Sequence, residues 1–104
     1  MGVDCSGFVQ NIFKVIGVRL QRDAWQQAEQ GRIIDQFENA AAGDLAFFHN
    51  DSGKIIHVGI LLSSGRIVHS SGKVRIDKLD KQGIINGETG KRTHRLHSVK
   101  RVID

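Results

Sequence analysis

The stretch Val3-Asp4-Cys5-Ser6-Gly7-Phe8-Val9 decides how this sequence is interpreted, because it begins a helix on the only cysteine of the chain. Asp4 is a residue type that caps helix N-termini well, and from Phe8 onward apolar side chains recur at helical spacing through residue 16. Cys5 therefore falls in the first turn, where free backbone N–H groups and the positive end of the helix dipole stabilise an anion. The position predicts a thiol pKa below its ordinary value and hence a nucleophilic thiolate.

Beyond this helix, the sequence predicts one more short helix and then a series of strands. Asp23 can cap a second helix over residues 24–30. From Leu45 onward, short apolar and β-branched runs alternate with turns such as Asn50-Asp51-Ser52-Gly53. Strands are predicted over residues 45–48, 55–62, 66–70, 74–79 and 95–103, and a loop over residues 83–90. This order predicts an α+β fold in which the N-terminal helix packs on an antiparallel sheet.

Two of the five histidines occupy strand positions from which they could serve Cys5. His57 and Gly59 share one face of their strand, and His69 follows on the next strand. A three-residue loop at Ser63-Ser64-Gly65 would place His69 opposite Gly59 and diagonal to His57. A two-residue loop would shift the register by one residue and separate the two imidazoles. The remaining histidines are interpreted as surface residues: His49, His94 and His97.

A thiol beside two imidazoles admits three interpretations. As a nucleophilic triad, one imidazole takes the thiol proton and the second orients the first. As a structural arrangement, the cysteine is a small core residue and the histidines are half-buried strand residues bonded to backbone. As a zinc site, the ligands would be Cys5, His57, His69 and Asp44. No two of these potential ligands have the close spacing typical of zinc sites, so neither a metal nor a cofactor is predicted.

The composition is that of one small globular domain. Its 104 residues include 39% hydrophobic and 25% charged side chains, with a formal net charge of +4. The basic excess could attract an anionic polymer, but the chain has no tyrosine, one tryptophan and no nucleic-acid motif, so nucleic-acid binding is not predicted. No apolar run reaches the roughly 20 residues of a membrane span. Residues 1–16 contain no recognisable secretion signal, and the oligomeric state is not indicated.

Three stretches make this chain resemble the NlpC-type cysteine peptidases, a papain-like family that trims bacterial cell-wall peptides. They are the nucleophile segment at residues 3–9, Gly43-Asp44-Leu45-Ala46-Phe47-Phe48, and the histidine strands His57-Val58-Gly59-Ile60 and Ile67-Val68-His69-Ser70. The resemblance covers most of residues 3–79. It implies a papain-like catalytic domain over residues 1–104. It also implies a longer parent protein that is secreted, periplasmic or associated with the cell wall.

The resemblance also implies roles for individual residues. Cys5 would be the nucleophile, His57 the base and His69 the third polar residue. The implied reaction is hydrolysis, through an acyl-enzyme, of the bond between γ-D-glutamate and a diamino acid in peptidoglycan stem peptides. The residues that fall where similar enzymes contact substrate are Asp4, Ser6, Arg22 and Asp23. Arg22 would pair with the α-carboxylate of D-glutamate, and Asp4 or Asp23 with an ammonium group.

One departure from the family pattern leaves alternatives to this function. Family members usually carry a Tyr/Trp-Gly segment shortly upstream of the nucleophile, and this sequence does not contain it. A pocket that binds wall peptides without turnover is therefore one alternative. An amidase or an acyltransferase that uses the same triad is another.

Overall fold

The computed structural model describes residues 4–103, so Val3 of the nucleophile segment lies outside the described residues. Within this range the helices are α1 (Cys5–Val15), α2 (Ala24–Gln27) and a 3-10 turn at Phe37–Asn39. The strands are β1 (Arg32–Ile33), β2 (Leu45–His49), β3 (Ile55–Ser63), β4 (Arg66–Ser71), β5 (Lys73–Asp80), β6 (Gly83–Ile85) and β7 (Arg92–Arg101). Helix α1 and the five predicted strands are thus present, with bounds that differ by a few residues.

The strands form one antiparallel sheet that closes into a barrel. Their order is β1-β7-β2-β3-β4-β5-β6, and β6 pairs again with β7, so six strands complete the ring while β1 extends β7. The predicted helix on an antiparallel sheet is confirmed, but the structure is mostly β and the sheet is not open. Closure removes the exposed strand edges that an open sheet would present.

Strand β6 supplies the closing contact, and the prediction of a loop over all of residues 83–90 is wrong at its first three residues. Gly83 has a φ of +145°, and a Cβ there would lie against the backbone carbonyl of His94 in β7. Only glycine permits this approach. A three-residue strand that begins on glycine has no apolar alternation of its own, which explains why its sequence is typical of a loop.

Side-chain alternation divides the core into two layers. Helix α1 contributes Val9 and Phe13 to the layer outside the barrel wall, and the opposite rows of the strands fill the interior. The outer layer comprises Val9, Phe13, Leu20, Ala24, Ala28, Leu45, Phe47, Val58 and Ile60. The interior comprises Ile34, Ala40, Ala46, Phe48, Leu61, Ile67, Leu79, Ile84 and Val99. His57 and His69 belong to the interior rows of β3 and β4, and both are buried.

In the described part of the chain, no helix has the length and apolarity that a membrane crossing requires. The longest, α1, has 11 residues and exposes polar side chains on one face.

Candidate active site

Helix α1 begins at the cysteine because Asp4 caps it. Asp4 has an extended backbone, and its carboxylate accepts a hydrogen bond of 2.7 Å from the backbone N–H of Gly7. Cys5 is the first helical residue and is partly buried at the edge of the outer core layer. Its thiol lies 4.0 Å from the carbonyl oxygen of Ile56 in β3. The packing of α1 against β3 therefore holds the sulfur next to the backbone that precedes His57.

The protonation state of this thiol differs from the sequence-based expectation. Burial raises the pKa of Cys5, and the Asp4 carboxylate adds to the rise; the backbone N–H groups of Val58 and Ser6 act in the opposite direction without outweighing burial. The expected decrease is absent because burial outweighs the backbone N–H groups at the start of the helix, and the capping carboxylate adds to the rise. The resting thiol is therefore neutral at pH 7 and needs a base to become a nucleophile.

The β3–β4 hairpin brings the two predicted imidazoles into contact. His69 is paired with Gly59, as predicted, and His57 Nε2 lies 2.9 Å from His69 Nδ1. The rings are perpendicular, with centroids 5.0 Å apart. A Cβ on Gly59 would lie 2.6 Å from the Ile67 side chain and 3.0 Å from His69 Cβ. Glycine at this position therefore leaves the space in which the two histidines meet.

The hairpin reaches this register by a different route from the predicted one. The connection is a two-residue turn, Ser64-Gly65, which alone would place the histidines on opposite faces. A bulge between Leu61 and Ser63 inserts one unpaired residue and restores the register. The pairing of Gly59 with His69 is thus confirmed, whereas the three-residue loop is wrong.

The imidazole pair continues to a buried carboxylate that the sequence analysis missed. His69 Nε2 lies 2.8 Å from Asp77 Oδ2 in β5, and the Asp77 side chain is 3% exposed. Asp77 also accepts hydrogen bonds from the guanidinium of Arg75 at 3.1 and 3.3 Å and from the backbone N–H of Gly87 at 3.0 Å. Burial alone would raise the pKa of Asp77, but these donors together hold it well below its usual range. Asp77 is therefore ionised and acts only as an acceptor.

His94 is a second missed member of the site, and its interpretation as a surface residue is wrong. Its ring stacks on that of His57 with centroids 4.2 Å apart and an interplanar angle of 25°. Burial, followed by the neighbouring His94 and His69, lowers the pKa of His57 to about 3. His57 is therefore neutral at pH 7 and can accept a proton. Of the other two histidines interpreted as surface residues, His97 is exposed, as expected, and His49 is half-buried.

The lowered pKa of His57 predicts a loss of stability in mild acid. In the unfolded chain a histidine binds a proton below about pH 6.5, whereas folded His57 does so only near pH 3. The free energy of unfolding should therefore decrease as the pH is lowered from about 6.5 to about 3. This residue contributes up to about 1.4 kcal/mol per pH unit. Urea unfolding between pH 5 and about 6.5, above most carboxylate titration, should give a shallower slope for His57→Asn than for wild type.

His97→Asn is the matched control for that measurement, since it removes an exposed histidine and should leave the slope unchanged. An equal slope in His57→Asn and wild type would contradict the lowered pKa.

The four residues predicted to contact substrate are held by one another or by helix ends. Arg22 donates to Asp4 Oδ2 at 2.8 Å and to Ser6 Oγ at 3.0 Å, so three of the four form one cluster beside Cys5. Asp23 caps α2, and its backbone N–H donates to the Gln26 side chain at 3.2 Å. Arg22 and Asp4 are both more than half exposed and Ser6 is buried, so the guanidinium and the Asp4 carboxylate are the accessible parts of the cluster.

Asp44, the acidic member of the zinc alternative, is engaged elsewhere. Its carboxylate accepts two hydrogen bonds of 2.8 Å from Arg101 and one of 2.9 Å from the backbone N–H of Ala41. Within residues 4–103, no group of three or more histidine, cysteine or acidic side chains has the arrangement of a metal site.

Comparison with known proteins places this architecture in one family. The family model described as NlpC/P60 family matches residues 1–93. The γ-D-glutamyl-L-lysine dipeptidyl-peptidase of Bacillus cereus is 36% identical over 98 residues, which are 89% of this chain and 29% of that protein. The murein DD-endopeptidase MepS/murein LD-carboxypeptidase of Escherichia coli K12 is 40% identical over 72 residues, 67% of this chain and 37% of that protein.

A solved structure of an NlpC/P60 family protein from Bacillus cereus superimposes with a TM-score of 0.78 at 30% identity. The superposition covers 99% of this chain and 32% of that one, so the chain spans less than half the length of each of these relatives. The family match, the identities and the shared barrel agree with the resemblance of the nucleophile and histidine segments. The chain belongs to the NlpC/P60 family.

Proposed function

We propose that this domain is a cysteine endopeptidase that hydrolyses the bond between γ-D-glutamate and the diamino acid in peptidoglycan stem peptides. The observation that supports it most directly is the buried His57–His69 pair on the strands against which the Cys5 helix packs. The names of two relatives support the substrate class, since one is a γ-D-glutamyl-L-lysine dipeptidyl-peptidase and the other a murein endopeptidase.

The proposed mechanism uses a papain-like arrangement, with the nucleophile at a helix N-terminus and the base on an adjacent strand. The Cys5 thiol turns from the Ile56 carbonyl towards His57, whose imidazole takes the thiol proton as sulfur attacks the carbonyl carbon of the scissile bond. Such contacts are often loose in the absence of substrate and tighten on binding. Because thiol and imidazole are both neutral at rest, proton transfer accompanies the attack.

The remaining steps return the enzyme to its starting state. The protonated His57 donates its proton to the leaving amine of the diamino acid, and a thioester between Cys5 and the γ-carboxyl group of D-glutamate remains. His57 then takes a proton from water, which attacks the thioester and releases the free carboxylate and the thiol. The backbone N–H of Cys5 serves as one donor to the oxyanion, and His69 orients His57 throughout.

The cluster beside the nucleophile is assigned to substrate binding. Arg22 retains donors beyond those used by Asp4 and Ser6, and its accessible guanidinium pairs with the α-carboxylate of D-glutamate. Asp4 or Asp23 contacts an ammonium group of the peptide. In this proposal residues 1–104 are one catalytic domain of a longer protein that acts in the cell wall or periplasm on peptidoglycan.

Product analysis tests the function. The peptide L-Ala-γ-D-Glu-L-Lys-D-Ala, incubated with the domain and analysed by mass spectrometry, should give L-Ala-D-Glu and L-Lys-D-Ala. The isomer with an α-linked D-glutamate has the same mass and should remain intact, which controls for nonspecific hydrolysis. N-acetylmuramoyl-L-alanine peptides should keep their amide bond, since its cleavage would identify an amidase.

Other outcomes would select the alternatives. Bound peptide without product, even at stoichiometric enzyme, would contradict the peptidase and identify a peptide-binding module. Transfer of the glutamyl group to an added amine in place of water would identify an acyltransferase.

A further inference from the structure

We propose that Asp77 is a positioning residue that sets the tautomers of both His57 and His69 and so determines which nitrogen of His57 acts as the base. Only the identity of the reaction rests on the function proposed above. The tautomers themselves follow from the hydrogen bonds of the resting molecule.

The Asp77 carboxylate fixes the position of the proton on His69. Asp77 Oδ1 accepts from Arg75 Nη2 and from the Gly87 N–H, and Oδ2 accepts from Arg75 Nε and faces His69 Nε2 at 2.8 Å. An ionised carboxylate has no proton to donate, so His69 must donate to it from Nε2. His69 is thereby fixed as the Nε2–H tautomer.

The position of the proton on His69 in turn fixes that on His57. When His69 carries a single proton, that proton is on Nε2, and the lone pair on Nδ1 lies 2.9 Å from His57 Nε2. The contact is a hydrogen bond only if His57 donates from Nε2. A neutral His57 with its proton on Nε2 keeps its lone pair on Nδ1, which becomes the only nitrogen able to accept the thiol proton. One buried charge thus sets the protonation of two successive rings.

The surroundings of Asp77 differ from those of a purely structural ion pair on the same strand. Asp80 accepts hydrogen bonds of 2.7 and 2.9 Å from Arg92, but its side chain is 44% exposed and these contacts include no histidine. Asp77 has an equivalent partner in Arg75, yet it is buried and ends the row of imidazoles. Asp80→Asn therefore serves as a matched control that removes a carboxylate paired with arginine without touching the histidines.

The substitution Asp77→Asn is expected to reverse the tautomers. The Oδ1 position faces two fixed donors, Arg75 Nη2 and the Gly87 N–H, whereas the Oδ2 position faces one, Arg75 Nε. The amide oxygen should therefore occupy Oδ1, and the amide nitrogen should take the place of Oδ2. That nitrogen donates, so His69 Nε2 must accept and the proton moves to Nδ1. His57 then carries its proton on Nδ1, the nitrogen that accepts the thiol proton in wild type, and can no longer act as the base.

Two measurements test whether Asp77 sets the tautomers of His57 and His69. The ¹⁵N NMR spectrum of histidine-labelled protein at pH 7 should show Nε2–H tautomers for His57 and His69 in wild type and in Asp80→Asn, and Nδ1–H tautomers in Asp77→Asn. With the γ-D-glutamyl peptide, Asp77→Asn should lose about 10²- to 10⁴-fold in kcat with little change in KM, because a wrong tautomer removes the base and not the binding site.

The two proposals fail separately. A wild-type His69 protonated on Nδ1 would overturn the role of Asp77 even if Asp77→Asn failed to fold. Retention of both Nε2–H tautomers in folded Asp77→Asn would also overturn it. Wild-type protein without peptidase activity would contradict the proposed function, while the NMR measurement would still decide the tautomers.

Discussion

Replacing Cys5 with alanine should reduce kcat for the γ-D-glutamyl peptide by on the order of 10⁵- to 10⁶-fold, because no acyl-enzyme can form without the sulfur. The side chain is only partly buried and stands in the first turn of α1, where alanine is well tolerated. The free energy of unfolding should therefore change by less than about 1 kcal/mol. Steady-state kinetics and urea unfolding of the same preparation measure both quantities.

Two controls make this result specific to the thiol. Cys5→Ser keeps a hydroxyl at the same position and should also lose most activity, since a hydroxyl is far less acidic than a thiol. In wild type, the rate of alkylation by iodoacetamide should still be rising at about pH 9, because burial raises the pKa of Cys5 above the ordinary value near 8.5. Turnover by Cys5→Ala within tenfold of wild type would show that another group attacks the substrate.

The parts of this site that sequence could predict are those encoded within one segment or one hairpin. The cap at Asp4 and the apolar spacing after Phe8 are local signals, and they placed Cys5 at the start of α1 correctly. The pairing of His69 with Gly59 followed from counting along two strands. The bulge near Leu62 could not be predicted, since no residue pattern in the hairpin distinguishes it from a three-residue loop.

The burial of Asp77 in β5 could not be predicted, because this strand turns apolar side chains outward and a charged side chain inward. Val74 and Ile76 alternate with Arg75 and Asp77, a pattern that normally places the apolar side chains inside. In the structure the apolar pair is 54% and 59% exposed, whereas Asp77 faces the interior. The buried Leu79 shares its face and carries the only sequence signal for the correct phase. The interior accepts this charge because His69 and Arg75 satisfy it.

Contacts between distant segments explain the remaining errors. His94 reaches His57 because β7 pairs with β2 and β2 pairs with β3, and no local pattern indicates which strand the C-terminal strand pairs with. The sign of the Cys5 pKa shift was also missed. The helix N-terminus and Asp4 are adjacent in sequence and act in opposite directions, and burial against β3 decides the outcome.

Gly59→Ala should impair both folding and catalysis, because the added methyl group enters the space in which the histidines meet. It would lie 2.6 Å from Ile67 Cδ1 and 3.0 Å from His69 Cβ, and both neighbours are buried in the barrel interior. Overpacking of this kind costs about 1–3 kcal/mol. Relief of the clash moves His69 relative to His57 and Asp77, and a displacement of about 1 Å can lower kcat by about 10²-fold.

Gly65→Ala provides the matched control, since it makes the same substitution in the turn of the same hairpin. A Cβ at Gly65 has its nearest neighbour, the carbonyl oxygen of Leu79, at 4.0 Å, so stability should change by no more than about 0.5 kcal/mol and kcat should be retained. Gly59→Ala protein that is destabilised but fully active would show that catalysis does not depend on the placement of His69. Such a result would count against His69 as the residue that orients the proposed base.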